Sequence, residues 1–498
     1  MEKILVIIIL AIGIVWRLPY FAPTSLNWDE VSLGYNAYSM SKTGADEWGT
    51  KLPTIFRAFG DYKLPVYVYM TTPWPLNPRI TSIIAGSLTM LISYLLARKL
   101  FGKQVGLVTL SLVALSPWTV MLSRLALEAN LAILFISLGM LCMVSKKYFW
   151  SIIFFGISVW TYNSARIFVP LFVISYWLIY RFKLDKKTLI IGGLLFIPMM
   201  VQLLSTIGQA RYKKLSLIDD GAIGKINELQ ATKPGGRLVY NKATYFVATF
   251  AKNYISYLSP NFLFIKGGDH YQFSVQNHGL LYLIMFPFFY LGIWTLIKNY
   301  KLKIKNLLLL WLLIAPIAGS ITRDSPHTLR AIAMLPLPMI LSAVGIVSLL
   351  KKHYLVIFPI ILLFSINYQL LTNNYYKNYS WSWQYGYKEA IQVVKQDYDK
   401  YDQIIFTKKY GEPHEFVAFY WPWDPADSAK NKSWDYHDGW YWVNALGKIK
   451  FVNDWEMKSY TYQSKTLIIA SPDNIPPGKE IKRINFLDGK PAFIIKEL

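Results

Sequence analysis

The sequence predicts a multi-pass α-helical membrane protein with about 11 transmembrane helices, followed by a small C-terminal α/β domain outside the membrane. The first observation is composition: 54% of the 498 residues are hydrophobic and 16% are charged, against about 25% charged in soluble domains. The second is charge distribution. Residues 1–372 hold 35 Lys/Arg and 13 Asp/Glu, whereas residues 373–498 hold 17 and 16. Nearly all of the net charge of +23 therefore lies between apolar runs. This distribution indicates basic loops that set membrane topology, and it excludes a nucleic-acid partner.

The membrane part has eleven apolar segments near the roughly 20 residues that a spanning helix needs. They are residues 4–20, 79–98, 104–122, 125–144, 148–163, 165–181, 188–206, 279–297, 306–322, 328–350 and 353–372. The first is expected to be a retained anchor rather than a cleaved signal peptide, because Arg17-Leu18-Pro19 follows it without an A-x-A site. The single cysteine, Cys142, excludes disulfides within the chain.

Basic residues indicate the topology. They concentrate in alternate connections, at 98–103, 146–147, 181–187, 298–305 and 351–352, and such loops face the cytoplasm. The N-terminus is therefore expected in the cytoplasm. After eleven crossings the C-terminal part is expected outside, in a protein of the cell membrane.

The connections and the last quarter complete the predicted organisation. A transmembrane domain, 1–372, carries two long outer loops at 21–78 and 207–278, and loops of that length usually have a function. Residues 373–498 alternate helical and strand patterns: 387–398 is predicted as a helix, and 403–406, 465–470 and 491–496 as strands. The aromatic stretch 421–442 is compatible with sugar stacking, interfacial anchoring or core packing.

An acidic pair directly after the first segment is the sharpest candidate site. In Asn27-Trp28-Asp29-Glu30, Asp29 is a candidate general base or metal ligand, with Glu30 beside it. The structural alternative is that Asp29 caps a helix through Val31–Ser41.

Two further polar elements lie on the outer side. Lys63 precedes Pro65 at the start of a short amphipathic stretch, and is a candidate phosphate contact or a snorkelling interfacial lysine. Arg124 and Glu128, four residues apart, are expected on one face of the fourth segment. Glu128 is the only acid within a predicted span, and is a candidate functional group or half of a salt bridge.

A basic cluster precedes the tenth segment. Arg323, His327 and Arg330, with Asp324, are expected near a helix N-terminus, where the helix dipole would help to bind a phosphate. The second long loop is also basic, which indicates either headgroup recognition or a solvated face. His270 and His278 match no metal-ligand spacing and are expected to be structural.

This order of elements resembles the GT-C glycosyltransferases, in particular the protein O-mannosyltransferase-like group and the lipid A aminoarabinose transferases. The resemblance covers residues 1–372. It consists of Asp29-Glu30 after the first span, Lys63 later in that loop, an Arg/Glu element at 124–128 and a His/Arg element at 327–330. The ending Asn485–Pro491 (NFLDGKP) is similar to tails of bacterial members.

The resemblance implies an enzyme that moves a sugar from a polyprenyl-phosphate carrier to an acceptor hydroxyl on the extracytoplasmic face, with inversion. It implies Asp29 as the catalytic base with Glu30 as its companion. Glu128 stands where relatives carry an aspartate. The implied contacts to the carrier phosphate are Lys63, Arg124, Arg323, His327 and Arg330.

The residues also leave alternatives open. A polytopic transporter would place its ionisable groups near the membrane midplane between repeated halves. A non-catalytic polyprenyl-lipid-binding assembly protein would not need Asp29. No cofactor is required by the sequence, although Asp29, Glu30 and Glu128 are candidate ligands for a divalent metal. The sugar and the acceptor, whether protein, lipid or glycan, are not specified.

Overall fold

The structure, a computed structural model, describes residues 2–21, 25–350 and 357–498. In chain order the first helices are α1 (Glu2–Val15), α2 (Trp28–Thr43), α3 (Pro65–Thr71), α4 (Arg79–Phe101), α5 (Lys103–Leu115), α6 (Pro117–Arg124), α7 (Glu128–Val144), α8 (Tyr148–Val159), α9 (Asn163–Tyr180) and α10 (Lys186–Leu204). They continue with α11 (Thr206–Leu215), α12 (Asp220–Thr232), α13 (Gly236–Val239), α14 (Lys242–Leu258), α15 (Phe286–Asn299), α16 (Leu302–Ile314), α17 (Ile317–Ser320), α18 (Leu337–Leu350) and α19 (Ile357–Asn378).

Each apolar segment predicted from the sequence contains at least one helix of the described chain: α1, α4, the α5–α6 pair, α7, α8, α9, α10, α15, the α16–α17 pair, α18 and α19. Residues 351–356, which include a predicted basic pair and the start of the eleventh segment, lie outside the described residues. By length and composition, five helices of the described chain can cross a membrane, or six if the bent pair α5–α6 is one span. The five are Arg79–Phe101, Asn163–Tyr180, Lys186–Leu204, Leu302–Ser320 and Ile332–Leu349.

Proline explains two departures from the predicted segments. The segment 104–122 is two helices that meet at 52°, because Pro117 has no N–H to continue the ladder of α5. The segment 328–350 becomes an α-helix only at Leu337, after Pro336. Residues before it form turns and a short 3-10 helix at Ile332–Met334.

The chain divides into two compact units. Unit 1 comprises Met1–Arg17, Ile83–Ser123 and Glu128–Tyr368, and unit 2 comprises Leu18–Ser82, Arg124–Leu127 and Gln369–Leu498. Unit 1 holds most of the apolar helices. It also holds the second long loop, which is helical from α11 to α14.

Unit 2 is built around a mixed β-sheet. Its remaining helices are α20 (Tyr387–Asp397), α21 (Pro413–Tyr420) and α22 (Pro425–Asn431). Its strands are a hairpin of β1 (Phe56–Arg57) and β2 (Tyr62–Lys63), and then β3 (Gln403–Thr407), β4 (Ser433–His437), β5 (Trp440–Leu446), β6 (Ile449–Val452), β7 (Thr466–Ala470), β8 (Lys479–Asn485) and β9 (Pro491–Glu497). The sheet order is β4-β5-β6-β3-β7-β9-β8, with β3 parallel to β6 and β7. The three predicted strands are β3, β7 and β9, and the predicted helix is α20.

The first long loop, 21–78, shares a core with the C-terminal sheet. Val31 and Tyr35 of α2 are fully buried among Ile404, Phe416 and Phe493. A Cβ atom on Gly34 would lie 2.4 Å from the Phe419 ring, so α2 and α21 approach at a point where only glycine fits. These contacts hold the start of α2 in a fixed position.

The aromatic stretch divides between two roles. Trp421 and Trp423 pack against the buried core of unit 2. Trp434 and Tyr436, on the edge strand β4, are about half exposed.

Candidate active site

The acidic pair lies in the first turn of α2. Asn27 caps this helix: its side-chain oxygen accepts from the Glu30 backbone N–H at 3.0 Å, and Glu30 Oε2 accepts from the Asn27 N–H at 3.1 Å. This reciprocal arrangement is a capping box. The structural alternative, in which Asp29 caps the helix, is therefore wrong, because Asn27 is the capping residue. The Asp29 side chain is left for another partner.

Asp29 forms an ion pair with Lys63. Lys63 Nζ lies 2.7 Å from Asp29 Oδ1, and the side chains are 7% and 33% exposed. Lys63 ends strand β2, just before Pro65 begins α3. The snorkelling alternative does not fit this buried, ion-paired lysine. The pair thus combines a fixed ammonium group with a carboxylate that solvent can reach.

Trp28, next to Asp29, anchors the turn from the other side. Its backbone N–H donates to Gln384 Oε1 at 2.7 Å. Gly411 has φ +117°, and a Cβ there would lie 2.5 Å from the Trp28 ring. The close approach and the backbone conformation both require glycine at this position.

Glu30 is buried and fully engaged. Arg79 Nε donates to Oε1 at 2.7 Å, and Arg79 Nη2 donates to Oε2 at 2.8 Å. The backbone N–H of Ala126 donates to Oε1 at 2.8 Å. With the Asn27 bond, four donors surround a side chain that is 0% exposed. Glu30 therefore links α2, the start of α4 and the segment after α6.

Arg79 was not among the predicted site residues. Its signal in the sequence is its place at the end of a span that the sequence predicts to be the outer one, where the bias of basic residues to cytoplasmic loops leaves an arginine unexplained. Its second contact, from Nη2 to the Ser25 carbonyl at 2.7 Å, fixes the chain just before the capping box.

Arg124 and Glu128 do not lie on one helix face, contrary to the expectation. Arg124 ends α6 and Glu128 begins α7, with three non-helical residues between them. Arg124 is 1% exposed and donates through Nη2 to Gln369 Oε1, within unit 2. Glu128 is partly buried in the first turn of α7 in unit 1, where the helix dipole favours a negative charge.

The basic cluster lies on an irregular segment of unit 1. Because α18 begins only at Leu337, the expected helix dipole does not act on Arg323, His327 or Arg330. Arg323 pairs with Asp219 at 3.1 Å. The Ala222 amide and Arg323 together lower the pKa of Asp219. Arg330 Nη1 donates to Thr322 Oγ1 at 2.8 Å and to the Arg323 carbonyl.

Arg330 also lines a cavity of about 370 Å³ in unit 1. Its polar lining includes Arg166, Tyr162 and Gln209, and its apolar lining includes Leu203 and Ile321. Arg166 is buried and donates to the Val159 carbonyl at 3.0 Å and to Gln202. The cavity therefore combines two arginines with apolar walls. Sequence analysis did not single out Arg166.

His327 lies in an aromatic group. Its backbone N–H donates to the Tyr257 hydroxyl at 3.1 Å. Its ring centroid is 5.6 Å from that of His270 and 5.9 Å from that of Phe273. The structure thus brings two of the sequence's six histidines together, although they are far apart in the chain.

Comparison with known proteins gives a family match and a fold. Residues 68–205 match the family model described as dolichyl-phosphate-mannose-protein mannosyltransferase. The crystal structure of ArnT from Cupriavidus metallidurans bound to undecaprenyl phosphate is similar over 98% of this chain and 97% of that chain, with a TM-score of 0.59 and 10% identity. The apo structure of the same protein gives a TM-score of 0.55 over the same shares, also at 10% identity.

A third similar structure is the oligosaccharyltransferase AglB from Archaeoglobus fulgidus, in complex with an inhibitory peptide and a dolichol-phosphate. The similarity extends over 84% of this chain and 63% of that chain, with 11% identity and a TM-score of 0.49. No curated protein matches the sequence significantly.

The family match and the ArnT-like fold confirm the predicted resemblance to GT-C glycosyltransferases. They confirm the predicted fold class, a multi-pass helical membrane protein with a C-terminal sheet domain. The predicted enzyme class, a membrane glycosyltransferase, agrees with the same family match.

Proposed function

We propose that the protein transfers a sugar from a polyprenyl-phosphate carrier to an acceptor hydroxyl, with Asp29 as the general base. The observation that carries this is the geometry of Asp29: one-third exposed, on a capped helix start, 2.7 Å from a buried lysine. Lys63 stabilises the carboxylate anion, which is the form that accepts a proton. The fold similarity to ArnT bound to undecaprenyl phosphate supports a polyprenyl-phosphate donor.

The reaction is a single displacement. The acceptor oxygen attacks the anomeric carbon while Asp29 takes the hydroxyl proton. The bond from the anomeric carbon to the phosphate oxygen breaks, and its electrons leave with the polyprenyl phosphate. One displacement inverts the anomeric configuration.

Glu30 acts in this proposal as a positioning residue. Both of its oxygens are occupied by donors, so it does not take the acceptor's proton. Its bonds to Arg79 and Ala126 fix the first turn of α2, and with it the Asp29 carboxylate. Holding a catalytic group in place lowers the entropic part of the barrier.

Carrier-phosphate binding is proposed for the basic residues. Guanidinium groups suit a phosphate because they offer several donors in one plane. In unit 1, Arg330 lies beside apolar walls, an environment that suits a charged headgroup on an isoprenoid tail. Arg323 and His327 lie on the same irregular segment, and Arg124 and Lys63 are the candidates in unit 2. Glu128 is proposed as a second acid of the reaction.

The proposed location is the cytoplasmic, inner membrane. The alternating basic connections support a cytoplasmic N-terminus and an extracytoplasmic C-terminal part. The transmembrane domain 1–372, and the extracytoplasmic domain 373–498, are proposed on the same grounds.

A transfer assay in nanodiscs tests the function. Purified protein is incubated with a panel of undecaprenyl-phosphate sugars and a detergent extract of envelope acceptors, and released undecaprenyl phosphate is measured. We expect release by the wild type and a loss of about 10²–10⁴-fold in Asp29→Asn. The matched control is Asp399→Asn, which changes an exposed acid of unit 2.

Two results would overturn the proposal. Equal rates for wild type and Asp29→Asn would exclude Asp29 as the base. Tight binding of undecaprenyl phosphate without release from any donor would favour the non-catalytic lipid-binding alternative.

A further inference from the structure

A second buried cluster of titratable side chains lies in unit 2, apart from Asp29 and Lys63. Its members are Glu47, which follows α2, and His414 and Glu415 on α21. One candidate ligand atom from each lies within 4.8 Å of the other two. The three side chains are 2%, 4% and 1% exposed. Imidazole and carboxylate groups together suit Zn²⁺ and neighbouring transition metals.

The histidine supplies an independent sign of a missing ligand. Among the described residues, both ring nitrogens of His414 lack a hydrogen-bond partner. Oε2 of Glu415 also lacks one. Buried polar atoms are rarely left unsatisfied, because each costs free energy when it loses water. Nε2 of His414 and Oε2 of Glu415 can each donate a lone pair, so these two atoms indicate an electron-pair acceptor, such as a metal ion, at this place.

The orientation of the ring identifies the nitrogen that faces the cluster. His414 Nδ1 lies 3.4 Å from Glu412 Oε2, and Nε2 lies 3.8 Å from Glu415 Oε1. Metal-bound histidines commonly hold their other nitrogen against a carboxylate, which fixes the ring. Glu412 is itself fixed, because Trp440 Nε1 donates to its Oε1 at 2.5 Å.

Electrostatics favour the ligating form of the histidine. Burial, followed by Lys432 and Lys408, holds the pKa of His414 well below its ordinary value. Burial thus favours the neutral ring, which is the form that binds metals. Burial, and then Glu47, raise the pKa of Glu415 well above its ordinary value.

Lys432 limits the charge of the cluster. Its Nζ lies 3.5 Å from Glu47 Oε2 and donates to the Glu47 carbonyl at 2.9 Å. It also lies 3.5 Å from the centroid of the Trp48 ring. Its ammonium charge offsets the Glu47 carboxylate within the cluster.

We propose that Glu47, His414 and Glu415 bind one divalent transition-metal ion, with Zn²⁺ as the best match. Three protein ligands and one water would complete a tetrahedral site. Ligand atoms of such a site are about 3.3 Å apart, so no pair of ligand atoms needs to approach by more than about 1.5 Å. The ion would tie the chain after α2 to α21. The proposal does not depend on the proposed transferase activity.

The test uses the full-length protein in detergent. The protein is stripped with EDTA, dialysed, and titrated with ZnCl₂, and bound zinc is counted by elemental analysis. We expect one ion per chain and a rise in the thermal unfolding midpoint of at least about 2 °C at saturating zinc. Zinc binding without such a rise would contradict the tie between α2 and α21.

His414→Gln is the first variant, because glutamine keeps a polar side chain of similar size. We expect its affinity for zinc to fall at least about 100-fold. The matched control is His437→Gln, which changes an exposed histidine of the same unit, 3.1 Å from Asp435. Glu415→Gln provides a second variant if His414→Gln elutes as an aggregate in gel filtration.

The wild-type titration is decisive without any variant. Absence of bound zinc in the wild type would overturn the proposal. Equal affinity in wild type, His414→Gln and Glu415→Gln would overturn the assignment of the ligands, as would loss of binding in His437→Gln alone. Release of undecaprenyl phosphate is a separate measurement, so failure of the zinc site and failure of the transferase proposal are distinguishable.

Discussion

Replacing Glu30 by glutamine removes the charge that compensates a buried arginine. Glu30 is 0% and Arg79 11% exposed, and they share two hydrogen bonds. Removing one partner of a buried ion pair costs about 3–5 kcal/mol, because the other charge stays uncompensated away from water. The glutamine side chain would also meet the Asn27 and Ala126 amides with one acceptor oxygen instead of two. We expect Glu30→Gln to lose about 3–5 kcal/mol of unfolding free energy.

The assay is unfolding by SDS in mixed micelles, followed by tryptophan fluorescence. The control makes the same substitution in a solvent-exposed pair: Glu480 accepts two bonds from Arg483 at 3.1 and 3.0 Å. Since exposed pairs contribute little, Glu480→Gln should not change the midpoint measurably. A double variant with Arg79→Gln should be less destabilised than the sum of its parts. Equal effects of Glu30→Gln and Glu480→Gln, or strict additivity, would refute the role of burial.

Three further predictions follow from the described contacts. Lys63→Met should lower the initial rate of undecaprenyl-phosphate release about 10²-fold, because a fixed charge is lost, and gel filtration should be unchanged; a wild-type rate would contradict this. Burial raises the pKa of Glu412 to about 7. Above pH 4.5 the unfolded chain releases the Glu412 proton, whereas the folded protein keeps it up to about pH 7. The proton therefore stabilises the fold fully below pH 4.5, and this contribution to the unfolding free energy decreases as the pH rises from 4.5 to about 7. Measured by SDS unfolding, wild type should lose up to about 3 kcal/mol relative to Glu412→Gln between those pH values, whereas parallel curves would contradict it. Gly34→Ala should destabilise by about 1–3 kcal/mol, because its Cβ would meet Phe419 at 2.4 Å. Gly224→Ala, on an open helix face, should stabilise the protein by about 0.5–1 kcal/mol. If both alanine variants changed the unfolding free energy in the same direction, the close packing of Gly34 against Phe419 would be contradicted.

The spans and the acidic pair were predictable because each is a local pattern. Apolar runs of about 20 residues identify helices without knowledge of their partners. Asp29 and Glu30 are conspicuous because they are adjacent acids at the start of the loop that follows the first apolar segment. The contact between Lys63 and Asp29 joins residues that are 34 positions apart in the sequence. It is a tertiary contact, and the residues on either side of each partner do not predict it.

The break between Arg124 and Glu128 had no local signal. Leu125, Ala126 and Leu127 favour a continuing helix, since none is glycine or proline. The break depends on Glu30, which accepts the Ala126 N–H across 96 residues. The late start of α18, by contrast, was signalled by Pro336, which cannot donate to a preceding turn.

The C-terminal sheet domain was predicted in part. Strands β3, β7 and β9 are runs of β-branched and apolar residues, because both faces of the central sheet are covered. The strands β4 and β5 lie where aromatic residues follow one another closely. In β5 (WYWVNAL) hydrophobicity has no period of two, and the pattern does not distinguish strand from loop.

The core that α2 shares with the C-terminal sheet has a consequence for biosynthesis. Trp28 and its partner Gln384 are 356 residues apart. At about 5–20 residues per second, the ribosome needs about 20–70 seconds to make the intervening chain. During that time Val31 and Tyr35, fully buried in the finished protein, have no strands to cover them. The loop that carries Asp29 is thus among the first parts translated and among the last to fold, and a nascent chain halted before residue 387 leaves that loop open to chaperones and proteases.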